Sequence, residues 1–461
     1  MCIRDSVYRE VILVMANSGD QWRVTDPEAT HADAGSFLPN PILNLNLPDL
    51  TGAVRAELVL DRWGGHPGTS NKRVRFNGGS WLRLPEPPIP DSRPECFTYQ
   101  DNPVIELPLN QIQAGFNSFE GTSGPQICEN FGWGQWGMYG AVVRIYYPGA
   151  TGHPTGSITQ PTAGSSIVDA VQIDVDASGP AGVGEVVILA RYDGYDADGD
   201  GVQYEWHRTY RRDRGGTELR LLDVIRQDTT APYGTNWDVA WVPDQAPGSV
   251  DLQARIRGAD GLWYVADHVT GLSLSHTGAT VHSYISEDVP RVFWVRTNDT
   301  ESATFTIPPE HDLGLAGSAR MVTFSWNGID HGVIDVNGTW QADNFGADHF
   351  WQRDALTMPV GTLLSGVNTM TISAATDHHG LEVLWPGPIF QVRYDGGTGA
   401  VLAVSDPVLS WGELRATDQG LVIPLVIEDG GHQALALEIH GDHPDLVRGL
   451  ASRPDKAAPL D

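Results

Sequence analysis

Residues 185–210 read EVVILARYDGYDADGDGVQYEWHRTY. Both ends, VVILARYD at 186–193 and VQYEWHR at 202–208, repeat their apolar residues at period two, which fits half-buried strands. The turn between them sets Asp193, Asp196, Asp198 and Asp200 among glycines. On the returning strand Val202, Tyr204 and Trp206 share one face, the expected core side, and Gln203, Glu205 and His207 are expected to face outward. The same period recurs in VDLQARIRG at 250–258 and MVTFSW at 321–326, and no long stretch keeps apolar residues at i, i+3, i+4 and i+7. The fold class that follows is all-β, a multi-domain array of antiparallel β-sandwiches.

The acidic turn allows two readings. Asp196, Asp198, Asp200 and Gly201 match positions one, three, five and six of an EF-hand loop, but position twelve would be His207 in place of a bidentate Glu, and strands flank it where helices are needed. Calcium, a hard cation that wants several oxygens, is instead expected on Asp196, Asp198 and Asp200 with backbone carbonyls, as a structural ion. The other reading is an unliganded turn that holds a sandwich edge.

Working outward, turn-rich stretches near 147–167, 273–290 and 395–407 divide the chain. The resulting segments are 1–15, 16–153, 154–278, 279–398 and 399–461. The first opens with MCIRDS, which looks like a translated adapter leader, and 1–15 is set aside with it. No signal peptide follows and the chain ends in ASRPDKAAPLD just past a strand-like segment, so a fragment of a longer protein is expected.

Charge narrows the partners. With 29 Lys+Arg against 58 Asp+Glu the net charge is −29, which repels phosphate backbones and anionic membrane surfaces, so no nucleic acid is expected. No apolar run reaches twenty residues, so no membrane insertion is expected. The 52 glycines and 31 prolines suit many short turns. Cys96 and Cys128 fall in one segment and suit either a disulfide in an oxidising compartment or two reduced, buried thiols.

Segments 16–153 and 279–398 repeat one grammar. The first runs AELVLDRWGGH, VRFNGGSW, IELPLNQIQAGFNSF and AVVRIYYP; the other runs VTFSWNGIDH, IDVNGTW, LTMPVGTLLSGVNTMTI and IFQVRYD. A strand ending in Trp-x-Gly, an Asn-Gly turn, a Gly-x-Asn strand entry and a closing strand recur in the same order, implying duplicated architecture. This pattern resembles galactose-binding-like jelly-roll domains. Segment 154–278, with its Asp-x-Asp-Gly-Asp-Gly loop, resembles bacterial immunoglobulin-like modules of the PKD or cadherin-like kind. Segment 399–461 resembles the first half of a cohesin-type sandwich, with Gly441, Asp442, His443 and Pro444 where such a domain has a Tyr-Asp-Pro turn. These resemblances imply a secreted or cell-surface bacterial protein.

Catalytic signatures are missing: no Gly-x-Ser-x-Gly, no His-Glu-x-x-His and no phosphate loop with Lys. His331, His349, His378, His379 and Glu382 lie in one segment and suit a transition metal, although adjacent His378 and His379 on a strand would face opposite sides. Aromatic residues give the better lead. Trp133, Trp136 and Tyr139 sit in the glycine-rich NFGWGQWGMYG, and Trp340 and Trp351 in the third segment, where exposed rings beside polar groups make a sugar-binding surface. Trp63 and Trp326, at the ends of core strands, are expected to be structural. The expectation is therefore a non-catalytic, not enzymatic, carbohydrate-binding or adhesion fragment that takes a polysaccharide or cell-surface glycan, with a calcium-stiffened immunoglobulin-like spacer. Accessory domains of a larger secreted polysaccharide-degrading enzyme, or a surface-layer component, are the alternatives.

Overall fold

The alternating pattern becomes strands throughout. The computed structural model describes residues 7–15, 21–89, 93–128, 131–212, 218–342, 345–377 and 380–395, and five strands between 408 and 451. The chain divides into two compact units, residues 1–397 and 398–461.

The two repeated segments adopt one topology. In the first, a sheet with the strand order Val7–Val14, Gln135–Tyr147, Arg55–Trp63, Val104–Leu107 faces a second sheet ordered Leu43–Leu47, Gly115–Thr122, Arg73–Phe76, Leu82–Arg83. In the third segment the equivalent orders are Ala279–Ile285, Ile389–Asp395, Ala316–Trp326, Trp351–Met358 and Thr300–Ile307, Gly366–Ala374, His331–Val336, Trp340–Gln341. Residues 7–14, set aside with the leader, are thus a strand in full register with Gln135–Tyr147, and Val7 and Tyr8 are buried. Their period-two apolar residues are what the ladder buries.

The duplicated motifs explain the shared shape. Asn77 and Asn337 take left-handed backbone (φ 50° and 56°) in the Asn-Gly turns. Each donates its amide to the Gly-x-Asn residue of its own sandwich, Asn77 to Asn117 Oδ1 and Asn337 to Asn368 Oδ1, both at 2.8 Å. Asn117 in turn donates to the carbonyls of Gln113 and Gly115, and Asn368 to those of Leu364 and Gly366. Both carboxamides are fully buried, so each replaces water for several backbone groups at once.

The middle segment pairs Val183–Asp193 with Val250–Gly258 over a core of its own. It joins the first sandwich through a continuous sheet, since Leu262–Val265 pairs with Val7–Val14. This explains why all thirteen residues of Gln135–Tyr147 are buried: one face fills the first sandwich, and the other packs Val142 and Tyr146 against Val187, Leu189 and Tyr210. Beside that seam Glu10 accepts from Arg144 (3.0 Å), Arg255 (2.7 Å) and Tyr210 (2.8 Å). Burial pushes the Glu10 carboxyl up, but Arg255 and Arg144 outweigh it and hold it below the usual range. Such a network adds little over an apolar seam, yet it fixes register, because removing one partner strands a buried charge.

The register of the returning hairpin strand differs from expectation. Val202 and Tyr204 are 40% and 39% exposed, whereas His207 is buried. His207 stacks on Tyr192 with centroids 3.7 Å apart and bonds Asp223 at 3.0 Å, and Asp223 also pairs with Arg353 of the third sandwich. The polar face turns inward because it meets another module, a contact no single-strand pattern encodes.

The Asp-x-Asp-Gly-Asp-Gly turn works as a wedge between all three modules. Tyr195 and Ala197 pack against Val322, Phe324, Leu384 and Ile389 of the third sandwich. Gly199, at φ 73°, lies so near the first sandwich that a Cβ there would sit 2.5 Å from the Gln100 carbonyl oxygen. The middle module therefore clamps the sandwiches together where a spacer was expected. The sandwiches also touch directly: Trp385 N–H donates to the Thr98 carbonyl and Thr98 N–H to the Arg291 carbonyl, each at 2.8 Å.

Cys96 and Cys128 form a disulfide with Cα atoms 5.7 Å apart. Closing a loop of that sequence separation, 32 residues, is worth roughly 3–4 kcal/mol in the chain-entropy account. The second unit, described by itself, is one antiparallel sheet ordered Val408–Trp411, Gly420–Asp429, Gln433–His440, Val447–Ala451, with Arg415–Thr417 paired to Gly420–Asp429. Gly441, Asp442, His443 and Pro444 lie outside the described residues.

Candidate functional site

Each sandwich turns the outer face of one sheet toward the other, and a cleft of about 300 Å³ lies between them. The floor consists of two equivalent cross-strand rows. In the first sandwich Gly137 pairs on one side with Arg23 and on the other with Trp63. In the third, Glu382 pairs on one side with Trp294 and on the other with Trp326. Directly opposed residues share a face, and the row members with side chains, Arg23, Trp63, Trp294, Trp326 and Glu382, line the cleft.

Strand periodicity explains both rows. Trp22 and Val24 point into the first core, which turns Arg23 outward. Along Arg55–Trp63, Ala56, Leu58 and Leu60 enter the core, and the alternate positions face the neighbouring modules. Gly137 fits tightly in the middle of its row, where a Cβ would lie 2.7 Å from the Trp22 carbonyl oxygen. The ladder shifts register between Met138 and Gly140, so Tyr139 is the extra residue of a bulge, and its ring reaches the cleft.

The remaining lining is aromatic and cationic. Phe131 stacks on His66 (4.3 Å) and reaches Trp294 across the gap (5.6 Å). Arg296 lies over Trp294 at 4.2 Å and Arg23 at 6.0 Å from Trp63. His66 donates its Nδ1 proton to the Trp133 carbonyl at 3.1 Å, the role a carbonyl partner dictates. Burial pushes the His66 imidazole down to about 4, so at neutral pH it is uncharged, with Nε2 as an acceptor. Burial, the sole cause, pushes the Glu382 carboxyl up to about 7. Among the described residues of the lining, Glu382 is the one carboxylate.

The expected ligand residues divide. Tyr139 lines the cleft, and Trp133 lies behind it, half-buried and stacked on His31 at 4.7 Å. Trp136 is fully buried in the first core and donates its indole N–H to the Thr122 carbonyl, so its place is structural. Trp340 packs on the third core at its hairpin strand, and Trp351 packs on Phe324 and donates to the Arg212 carbonyl at the module junction. Neither reaches the cleft. Trp63 and Trp326, expected to be structural, both line it. Their signal was present as the repeated Trp-x-Gly at the end of equivalent strands. Of the histidine group, His349 and Glu382 line the cleft, His331 bonds the Gly328 carbonyl, and His378 and His379 lie outside the described residues.

The acidic turn brings Asp196 and Asp198 together with Glu205, their carboxylate oxygens within 4.8 Å of one another, and Asp200 stands outside that group. Asp196 accepts the N–H groups of Gly199, Asp200 and Gly201 at 2.7–3.1 Å, closing the turn. Asp198 Oδ1 is buried with no hydrogen-bond partner. Burial and then mutual repulsion push the Asp196 carboxyl up to about 7 and Glu205 up to about 11. An orphaned oxygen among crowded carboxylates fits a hard divalent cation.

No protein-family model matches the chain, and no curated protein matches it. Among solved structures it is similar to a family 86 glycoside hydrolase bound to neoagarooctaose, at 9% identity over 55% of this chain and 34% of that one, with a TM-score of 0.21. It is similar to a β-porphyranase of the same family from the human gut bacterium Bacteroides plebeius, at 14% identity over 53% and 37%, TM-score 0.20. The fibronectin(III)-like modules of Clostridium thermocellum CbhA share 12% identity over 60% and 86%, TM-score 0.17. The chain spans about a third of the two hydrolases' length. At these scores none of the three bears on what this chain binds.

Proposed function

We propose that this chain is a non-catalytic carbohydrate-binding fragment of an extracellular protein, and that its glycan lies in the cleft between the duplicated sandwiches. The observation that carries this is the convergence of Trp63, Trp294 and Trp326 on one cleft with a carboxyl group and two arginines. Indole faces cover the apolar C–H patches of a pyranose, and the polar groups between them take its hydroxyls. Hydrolysis of a glycosidic bond uses two carboxyl groups at a set separation, whereas Glu382 is alone among the described lining residues. The disulfide suits an oxidising compartment. Among the described residues no helix is long and apolar enough to cross a membrane.

Calcium is the structural cofactor in this reading. Asp198 and Glu205 would hold it, with Asp196 fixing the turn around them, and its role is to hold the wedge shut by neutralising repelling carboxylates.

The test is a glycan array followed by calorimetric titration on the whole chain. Trp63→Ala and Trp326→Ala should each weaken the best glycan by ~10-fold or more, as truncating a buried aromatic anchor does. Trp340→Ala should bind as the parent does. Parent-like affinity in both cleft variants would remove the reading.

A further inference from the structure

We propose that the glycan taken by this cleft is anionic, carrying sulfate esters or carboxylates, and that Arg23 and Arg296 read its charges. This rests on the carbohydrate reading above. Basic residues are scarce in a chain with 29 Lys+Arg and 58 Asp+Glu. The buried ones are spent on carboxylates: Arg62 on Asp101, Lys72 on Glu86, Arg144 on Glu10 and Glu57, Arg211 on Asp61.

Arg23 and Arg296 differ. Both line the cleft, one from each sandwich, and among the described residues neither guanidinium reaches a carboxylate. Arg296 lies instead over the Trp294 indole of its own wall at 4.2 Å, and Arg23 lies between the rings of Phe37 (5.4 Å) and Trp63 (6.0 Å). A guanidinium stacked on a ring keeps its N–H edge available, and that planar fork matches the paired oxygens of a sulfate or carboxylate. Glu382 does not use these charges. Its carboxyl is raised by burial with no cationic neighbour lowering it. In a molecule of net charge −29 that repels polyanions elsewhere, two guanidinium groups without a carboxylate partner, one from each wall of an aromatic cleft, make a local site for negative charge.

The experiment titrates the whole chain with two matched pairs: a sulfated galactan oligosaccharide against its desulfated form, and an oligogalacturonate against its carboxyl-reduced form. The charged member of at least one pair should bind ~10-fold or more tightly, and the pair that shows it separates sulfate from carboxylate. Arg23→Gln and Arg296→Gln should each erase most of that preference, so that the charged and neutral members bind alike. Equal binding of charged and neutral members, or a preference that survives both substitutions, overturns this proposal and leaves the carbohydrate reading standing. Binding to none of the four overturns both. Unfolding curves that match the parent's show that the variants are folded.

Discussion

Tyr195 gives the sharpest test of how this molecule is built. Its ring is 3% exposed, packed between Val322, Phe324, Leu384 and Ile389 of the third sandwich, although it belongs to the acidic turn of the middle module. Its hydroxyl donates to the Gly387 carbonyl at 3.0 Å and accepts the Phe324 N–H at 3.2 Å. Tyr195→Ala removes an aromatic ring from a packed site, about 3–5 kcal/mol, and leaves two backbone groups short of a partner at about 1 kcal/mol each. Tyr195→Phe isolates the second term and should cost about 1–3 kcal/mol. The loss falls on the docking of the third sandwich, because neither sandwich core contains Tyr195. Tyr195 does not line the aromatic cleft, yet the cleft exists only while the two sandwiches face each other. Tyr195→Ala should therefore show a separate, earlier unfolding step in denaturant titration and a weaker glycan titration, with every cleft residue intact. A variant that unfolds in one step at the parent's midpoint and binds normally would refute the wedge.

Three further outcomes follow from the same contacts. Asn117→Ala and Asn368→Ala each delete a buried carboxamide that bonds several backbone groups, so denaturant unfolding should register about 2–4 kcal/mol for each, and similar values for the two, since the bonds are duplicated. Glu382 has a raised carboxyl, so the folded state holds its proton longer than the unfolded chain does, and stability is lost as pH rises from its ordinary 4.5 through about 7. The parent-minus-Glu382→Gln difference curve should fall by up to ~3 kcal/mol across that window, and a flat difference would contradict the burial. The raised carboxyls of Asp196 and Glu205 carry the same sign, so in chelator the parent should lose stability as pH climbs from about 4, through about 7 for Asp196 and on toward about 11 for Glu205. Calcium should suppress that loss and Asp198→Asn should remove the suppression; melting curves identical with calcium and with chelator at every pH would rule the ion out.

Much of the fold was legible because it is local. Period two in VVILARYD and MVTFSW marks strands directly, and the paired Asn-Gly and Gly-x-Asn motifs encode a turn and its buried partner within about forty residues of each other. The site was harder to read because it is made between modules. Trp136 and Tyr139 are three residues apart in one glycine-rich stretch, so strand alternation sends one ring to the core and the other to the cleft, and the bulge between Met138 and Gly140 then returns Ala141 and Val143 to the core. Trp63 and Trp326 end core strands, and only the facing sandwich makes those ends a wall. The same holds for His207, whose inward turn depends on Asp223, itself paired with Arg353 of the third sandwich.

Duplication accounts for why the cleft has the composition it does. Two copies of one sandwich bring two copies of the same outer row, and the closing strand sets the difference between them. In the first copy it runs unbroken as Gln135–Tyr147 and offers Gly137; in the third it is split into Leu381–Val383 and Ile389–Asp395, and offers Glu382. Tyr139 of the first sandwich lies close enough to feel the Glu382 charge. Arg23 and Trp294 occupy the equivalent flank of their rows, a cation in one copy and an indole in the other. A symmetric pair of faces would place like against like; divergence at one row, with the wedge holding the faces in register, yields a single cleft whose two walls offer different groups to one ligand.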